Sequence, residues 1–185
     1  MARLARLLLV AAIAAGALAG CGNKLSIRTQ GESEGLYIDV GPLLYQVQIS
    51  RYLNPSDPED KWYLEGLPAG TKPPGAGETW FGVFMRVQNT TGQTQTPTSR
   101  FSIVDTQDTT YRPIALDAKI NPFAYQAQPI IAGGVLPQAD TPAASGPVQG
   151  SLLLFKLKVA SLQNRPLELH IEGSGGNTGI MDLDL

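Results

Sequence analysis

TWFGVFMRVQN, residues 79–89, alternates along its whole length, with Phe81, Val83, Met85 and Val87 on one side and Gly82, Arg86 and Gln88 on the other. A period of two over this length predicts a half-buried β-strand. The stretch also places Trp80 and Phe84 on the side opposite the main apolar stripe. Its second face is therefore not simply a polar, solvated one.

The same period recurs on both sides. Tyr45, Val47 and Ile49 alternate with Gln46 and Gln48 in 43–50, and Leu153, Phe155, Leu157 and Val159 oppose Lys156 and Lys158 in 151–159. Leu167, Leu169 and Ile171 oppose Glu168, His170 and Glu172 in 166–172, and Met181 and Leu183 continue the pattern in the tail. Shorter strands are expected at 101–105 and 110–114, joined by Thr106-Gln107-Asp108-Thr109, and a first short one at 36–40. Six to eight short strands with turn-rich connections predict an all-β fold, an antiparallel β-sandwich.

Two segments interrupt the strands and read as loop insertions. In 51–77, Asp57 precedes Pro58, Glu59 and Asp60, an N-cap followed by proline and two acids that predicts a short helix. The second, 118–150, holds five prolines and no period. Connections of that length are uncommon and often functional.

The N-terminus has a different composition. Arg3 and Arg6 precede a run from Leu7 to Ala19 that is apolar or small throughout, and Cys21 follows Leu18-Ala19-Gly20. A charged start, a short apolar run and small residues before the cut predict a cleaved secretory signal at 1–20. Leu-Ala-Gly-Cys resembles the lipobox of bacterial lipoproteins. That resemblance implies acylation of Cys21, a membrane anchor on the extracytoplasmic side, and a flexible tether over 21–42 leading to a domain at 43–185. Such a tether spans roughly 25 Å. Cys21 is the one cysteine in the sequence, so no disulfide supports the core. Removing 1–20 takes away two arginines and no acid, and the formal charge moves from −2 to −4. Nothing basic enough for nucleic-acid binding is present.

A further resemblance lies in 79–114 and 150–171. Val87, Asn89 and Gly92, then Phe101, Ile103, Asp105 and Tyr111, then Gly150, Phe155 and Pro-Leu-Glu-Leu at 166–169 resemble the secreted immunoglobulin-like domains common in Gram-positive lipoproteins, a family that includes a mycobacterial immunoprotective extracellular antigen. The two insertions depart from that pattern and suit a narrower, actinobacterial type of lipoprotein. The resemblance implies an immunoglobulin-like β-sandwich and supplies no catalytic residues.

Residues with chemical potential read mainly as structural. His170 is the single histidine and shares its strand face with Glu168 and Glu172, which suits a solvated side chain better than a triad or metal site. Gly173–Gly179 lacks the order of a phosphate loop and predicts a hairpin. Asp57, Glu59 and Asp60 lack the alternating donors of a calcium loop, and Asp182 and Asp184 read as solvated. Asn89-Thr90-Thr91 has the form of a glycosylation acceptor, a reading that a bacterial lipoprotein disfavours. No cofactor is expected, and no enzymatic activity.

The aromatic residues carry most binding content. Trp62, Tyr63, Trp80 and Phe84 either form a second small core beneath the insertions or, if exposed, an interaction surface for an envelope protein or ligand. The expected function is a membrane-anchored, non-catalytic binding module; the alternative is a small-solute-binding or sensor lipoprotein with a cleft between insertion and sandwich.

Overall fold

The computed structural model describes residues 27–184. The expected signal sequence at 1–20 and the expected acylation site, Cys21, lie outside the described residues. Two sheets face each other. The first sheet has the order β1 (Gln30–Gly31), β10 (Thr178–Leu183), β9 (Leu167–Glu172), β5 (Phe101–Val104) and β6 (Thr110–Tyr111). The second runs β2 (Tyr37–Val40), β3 (Leu43–Leu53) and β4 (Glu78–Asn89). The far edge of β4 is shared: β8 (Ser151–Lys158) pairs along Glu78–Met85, and β7 (Val135–Leu136) takes over at Val87 and Gln88. Two short helices, α1 (Pro58–Tyr63) and α2 (Pro142–Ser145), lie in the two insertions.

The expected β-sandwich is therefore present, with two departures at its start. The tether does not run to residue 42, because the chain enters the sheets at Gln30 and buries Ile38 and Val40 in the core. The pairing is also not antiparallel throughout, since β1 lies parallel to β10, with Gln30 opposite Ile180. A two-residue edge strand is held by main-chain bonds, which leave no side-chain pattern to read.

Between the sheets lies the main core. Phe81, Val83, Met85 and Val87 of β4 pack with Tyr45 and Val47 of β3 and Leu153, Phe155 and Leu157 of β8. Facing them are Phe101 and Ile103, Leu167, Leu169 and Ile171, and Met181 and Leu183. Period-two alternation foretold these except Phe101 and Ile103, which lie in the short strand expected at 101–105. Ile49 is the exception. A β-bulge between Val47 and Ile49 makes Gln48 an extra residue, so the pairing passes from Val47–Met85 to Ile49–Phe84. One extra residue reverses which side chains face inward, and Ile49 lies on the outer face, 38% exposed. Val159 departs as well: it opens a 3-10 turn, Val159–Gln163, and is 45% exposed.

On the outer face of the second sheet a second core forms from Leu53, Tyr63, Trp80, Phe84, Phe123, Ala143, Leu152 and Leu154. The ring of Tyr63 meets Phe84 edge-to-face at 5.0 Å and Phe123 at 4.8 Å, a favoured aromatic geometry. Both insertions supply this layer. Gly82 makes room for it, since a Cβ there would meet Leu152, Leu53 and Phe84 at 3.1–3.2 Å. The first of the two aromatic alternatives thus holds for three of the four residues. Tyr63, Trp80 and Phe84 are buried and offer no surface, while Trp62, on the other side of α1, is 61% exposed.

Helix α1 starts as the sequence predicts. Asp57 accepts hydrogen bonds from the Glu59 and Asp60 amides at 2.9 and 3.2 Å. Asp60, buried, binds Arg51 at 2.5 Å and the Asn54 amide at 2.7 Å, and the Arg51 guanidinium lies 5.7 Å from the centre of the Tyr63 ring. Asp57 thus caps the helix, and Asp60 fastens it to β3. Asn121, fully buried, joins the insertions: its Nδ2 donates to the carbonyls of Glu65 and Tyr63 at 3.0 and 3.1 Å, and its Oδ1 accepts from the Phe123 amide.

Asp105 closes the β5–β6 turn, accepting from the Gln107 and Thr109 amides at 2.9 Å each and from Asn164 at 3.2 Å. Burial alone pushes its carboxyl up, but hydrogen bonds from Ser161, Thr109, Asn164 and Gln107 outweigh that and hold it down at about 2. Tyr111 reaches the same cluster, its hydroxyl 2.6 Å from Ser161 Oγ.

Two outcomes test this architecture. Phe84→Ala is expected to cost about 3–5 kcal/mol in urea denaturation, against no more than about 0.5 kcal/mol for the exposed Trp62→Ala; equal effects would contradict a second core. Because the Asp105 carboxyl is depressed in the folded chain, its contribution is complete above its ordinary value and is lost as pH falls from about 4 to about 2. The stability gap between the parent and Asp105→Ala, measured by denaturation across that range, is expected to shrink as acid is added.

Candidate functional site

The bulge that displaces Ile49 also turns Gln48 into a cleft on the outer face of the second sheet. Bulges commonly re-aim a side chain beside functional sites. Gln48 donates to Gln46, and Gln46 donates to the Gly35 carbonyl at 2.5 Å, so the amide is oriented by a short chain of hydrogen bonds. Across the ladder, Arg86 pairs in register with Gln46. Gln48 and Arg86 form the floor.

The second insertion supplies the walls. Leu136 and Val135 pair with Val87 and Gln88, which brings Val135, Pro137 and Ala139 alongside Arg86. Opposite them, α2 returns the chain so that Ala143 enters the second core while Ala144 lines the cleft with Gln149 and Gly150. Asn89 secures the first wall. Although it has the form of a glycosylation acceptor, it is fully buried and donates to the carbonyls of Gln93, Ile130 and Ile131 at 2.7–3.0 Å. Gly150 secures the second, donating to the Ala143 carbonyl at 2.8 Å. Its φ of +119° suits glycine, and a Cβ there would lie 2.8 Å from the β4 main chain.

The cleft encloses about 190 Å³. Arg86 is half-buried, and among the described residues its guanidinium makes no hydrogen bond or ion pair. Among the described residues no acid lines the cleft, and Asp140, next along the chain from Ala139, is exposed and makes no ion pair. A different cavity of about 260 Å³ at the end of the sandwich contains Arg100, whose charge is engaged by Glu172 at 3.6 Å and by the Gly173 carbonyl at 2.6 Å. The Arg86 cleft thus holds an uncommitted cation beside two amides and an apolar wall.

The remaining residues of interest lie elsewhere. His170 sits on the outer face of the first sheet, its Nε2 2.7 Å from Glu168. Gly173–Gly179 forms the β9–β10 hairpin, with the Gly173 amide bonded to the Asn177 carbonyl. Asp182 is half-buried rather than fully solvated; burial first, then Glu168, Glu32 and Asp184, pushes its carboxyl up. Asp184 and Glu34 each accept the other's main-chain amide, at 3.0 and 3.2 Å. Among the described residues, no group of three or more histidines, cysteines or acids is placed to hold a metal ion, and no helix is long and apolar enough to cross a membrane.

Sequence reasoning placed Arg86 and Gln48 among outward polar residues and assigned them no role. The available signal was a mixed face: β4 carries Trp80, Phe84 and Arg86 on one side, which announces cover over part of it.

No family model matches the chain, and no curated protein matches it in sequence. Among solved structures it is similar to the yjhA protein of Bacillus subtilis, with a TM-score of 0.50 and 10% identity over 83% of this chain and 99% of that one. The secreted Mycobacterium tuberculosis protein MPT63 gives 0.50 and 12%, over 85% and 98%. A candidate lipoprotein of B. subtilis, ycdA, gives 0.50 and 16% over 83% of this chain, which spans 39% of that longer one. The likeness is one of fold. It bears out the β-sandwich that the resemblance in 79–114 and 150–171 implies.

Gly150→Ala is expected to destabilise the chain by about 1–3 kcal/mol, because the new methyl meets the β4 main chain and the positive φ disfavours it. Gly133→Ala provides the comparison: its φ is also positive, +71°, but nothing lies within 4 Å. Denaturant unfolding is expected to rank Gly150→Ala as clearly the more damaging.

Proposed function

We propose that this chain is an extracytoplasmic, lipid-anchored lipoprotein whose β-sandwich acts as a non-catalytic binding domain. The observation that carries the reading is Leu18-Ala19-Gly20-Cys21 after a charged and apolar start, joined to a sandwich that has a secreted protein among its structural likenesses. Thiol acylation would remove a reactive group and tie the domain to a membrane; more than one acyl chain gives firm anchoring.

The binding role draws support from how the polar side chains are used. Asp60, Asp105, Asn89 and Asn121 are buried and bonded to main-chain groups, while His170 has Glu168 as its partner on an open sheet face. Their bonds serve architecture. As to what is bound, the burial of Tyr63, Trp80 and Phe84 removes most of the aromatic surface that would favour a broad protein partner. The cleft between the second insertion and the sandwich favours the other reading, a small solute.

Cys21→Ser is expected to move the protein from the detergent phase to the aqueous phase in detergent partitioning. Mass spectrometry of the parent is expected to find an acylated N-terminal peptide beginning at Cys21. Retention of the serine variant in the detergent phase, or an unmodified cysteine in the parent, would overturn the anchor.

A further inference from the structure

We propose that the Arg86 cleft binds a small monocarboxylate with a short apolar tail. Arg86 takes the carboxylate, the Gln48 and Gln149 amides bond the polar part beside it, and Val135, Pro137, Ala139 and Ala144 cover the tail. The inference rests on the binding-domain reading but not on the membrane anchor.

The charge balance is the first argument. A half-buried guanidinium without a partner is costly, and such groups are ordinarily paired. Here the chain has more acids than bases, and Arg51 and Arg100 both have acidic partners. Among the described residues Arg86 has none, and none of their acids lines its cleft. The missing counter-charge is then one that arrives from solution.

Geometry narrows the ligand. A guanidinium is a planar fork of donors that matches a carboxylate through two parallel hydrogen bonds. Phosphate sites characteristically combine several donors from a long helix N-terminus or a glycine-rich nest. This cleft offers one cation and a four-residue helix, α2, so a singly charged group suits it better. About 190 Å³ is below the usual range for drug-sized ligands, which limits the tail to a few carbons. The mixture of lining groups fits a short branched acid or the carboxyl-terminal residue of a peptide. Both present the same chemistry.

The site is also preorganised. Its floor is sheet, its Gln48 amide is held through Gln46, and its walls are fastened by Asn89 and Gly150. A rigid, prepaired site spends less binding energy on ordering.

The test uses the full chain in detergent, titrated with isovalerate and with isovaleramide, its neutral isostere. Amide NMR shifts report the location. Isovalerate is expected to saturate shifts in 135–150 and in β4, with the amide at least tenfold weaker, since a charged hydrogen-bonded pair is lost. Arg86→Met is expected to abolish those shifts while remaining folded, because the Arg86 guanidinium makes no bond among the described residues and the substitution leaves its main-chain ladder bonds in place; Arg86→Lys is expected to retain weak binding. The tripeptide Ala-Ala-Val identifies the source: binding at least as tight as isovalerate supports a peptide terminus, and exclusion of the tripeptide supports a free acid. No saturable shift in the cleft up to about 20 mM, equal binding of acid and amide, or unchanged binding by a folded Arg86→Met would overturn the proposal. Saturable shifts confined to another face would overturn this site and leave the binding-domain reading standing.

Discussion

Strand β4 is buried on both faces, and both of its edges are paired along most of its length. Phe81, Val83, Met85 and Val87 point into the sandwich, whereas Trp80 and Phe84 point away from it and must be covered from outside. An aromatic side chain withdraws about 150–250 Å² from water, worth about 4–6 kcal/mol. Two such residues on an open face would be a liability comparable to the net stability of a domain. Insertion of α1 and of the 118–150 segment over this face is the consequence, so the insertions are cover before they are anything else.

What holds the cover in place is a set of buried polar side chains. Irregular segments cannot satisfy their main-chain groups by ladder bonds alone, and each buried carbonyl left unpaired is costly. Asn121 answers this for the junction of the two insertions and Asn89 for the approach to β7. Asp60 and Asp105 do the same for amides, each beside a neighbour that balances or supports its charge. Residues with the look of ligands or catalytic acids in the sequence are thus absorbed into loop structure.

Long alternating strands were legible because burial on one face imposes a period of two, as in β4, β8, β9 and β10. The start of α1 was legible because capping is local: Asp57, Pro58 and the following acids specify it with no help from the rest of the chain. The bulge at Gln48 was not legible. It has no glycine or proline to mark it, and its effect on Ile49 depends on how β4 lies alongside. Strands β1 and β7 are two residues long and held by main-chain pairing. The second insertion is pinned by isolated bridges, Gln95 to Ile130 and Ala124 to Leu152, which have no period. The cleft combines three of these features, so the sequence offered only its polar floor.

The cleft and the second core are not independent. Helix α2 sends Ala143 into the core and Ala144 into the cleft, and Gly150 rests directly on β4 between Phe84 and Met85. Movement of the wall that holds Gln149 and Gly150 would therefore disturb the packing over Phe84. Packed interiors resist such displacement because they lose contacts abruptly rather than gradually. The cation's position is fixed from the other side, by a strand whose inner face belongs to the main core. Arg86 is thus held by one core and enclosed by another, and its lack of a partner among the described residues follows from walls that bring it amides and methyl groups but no acid.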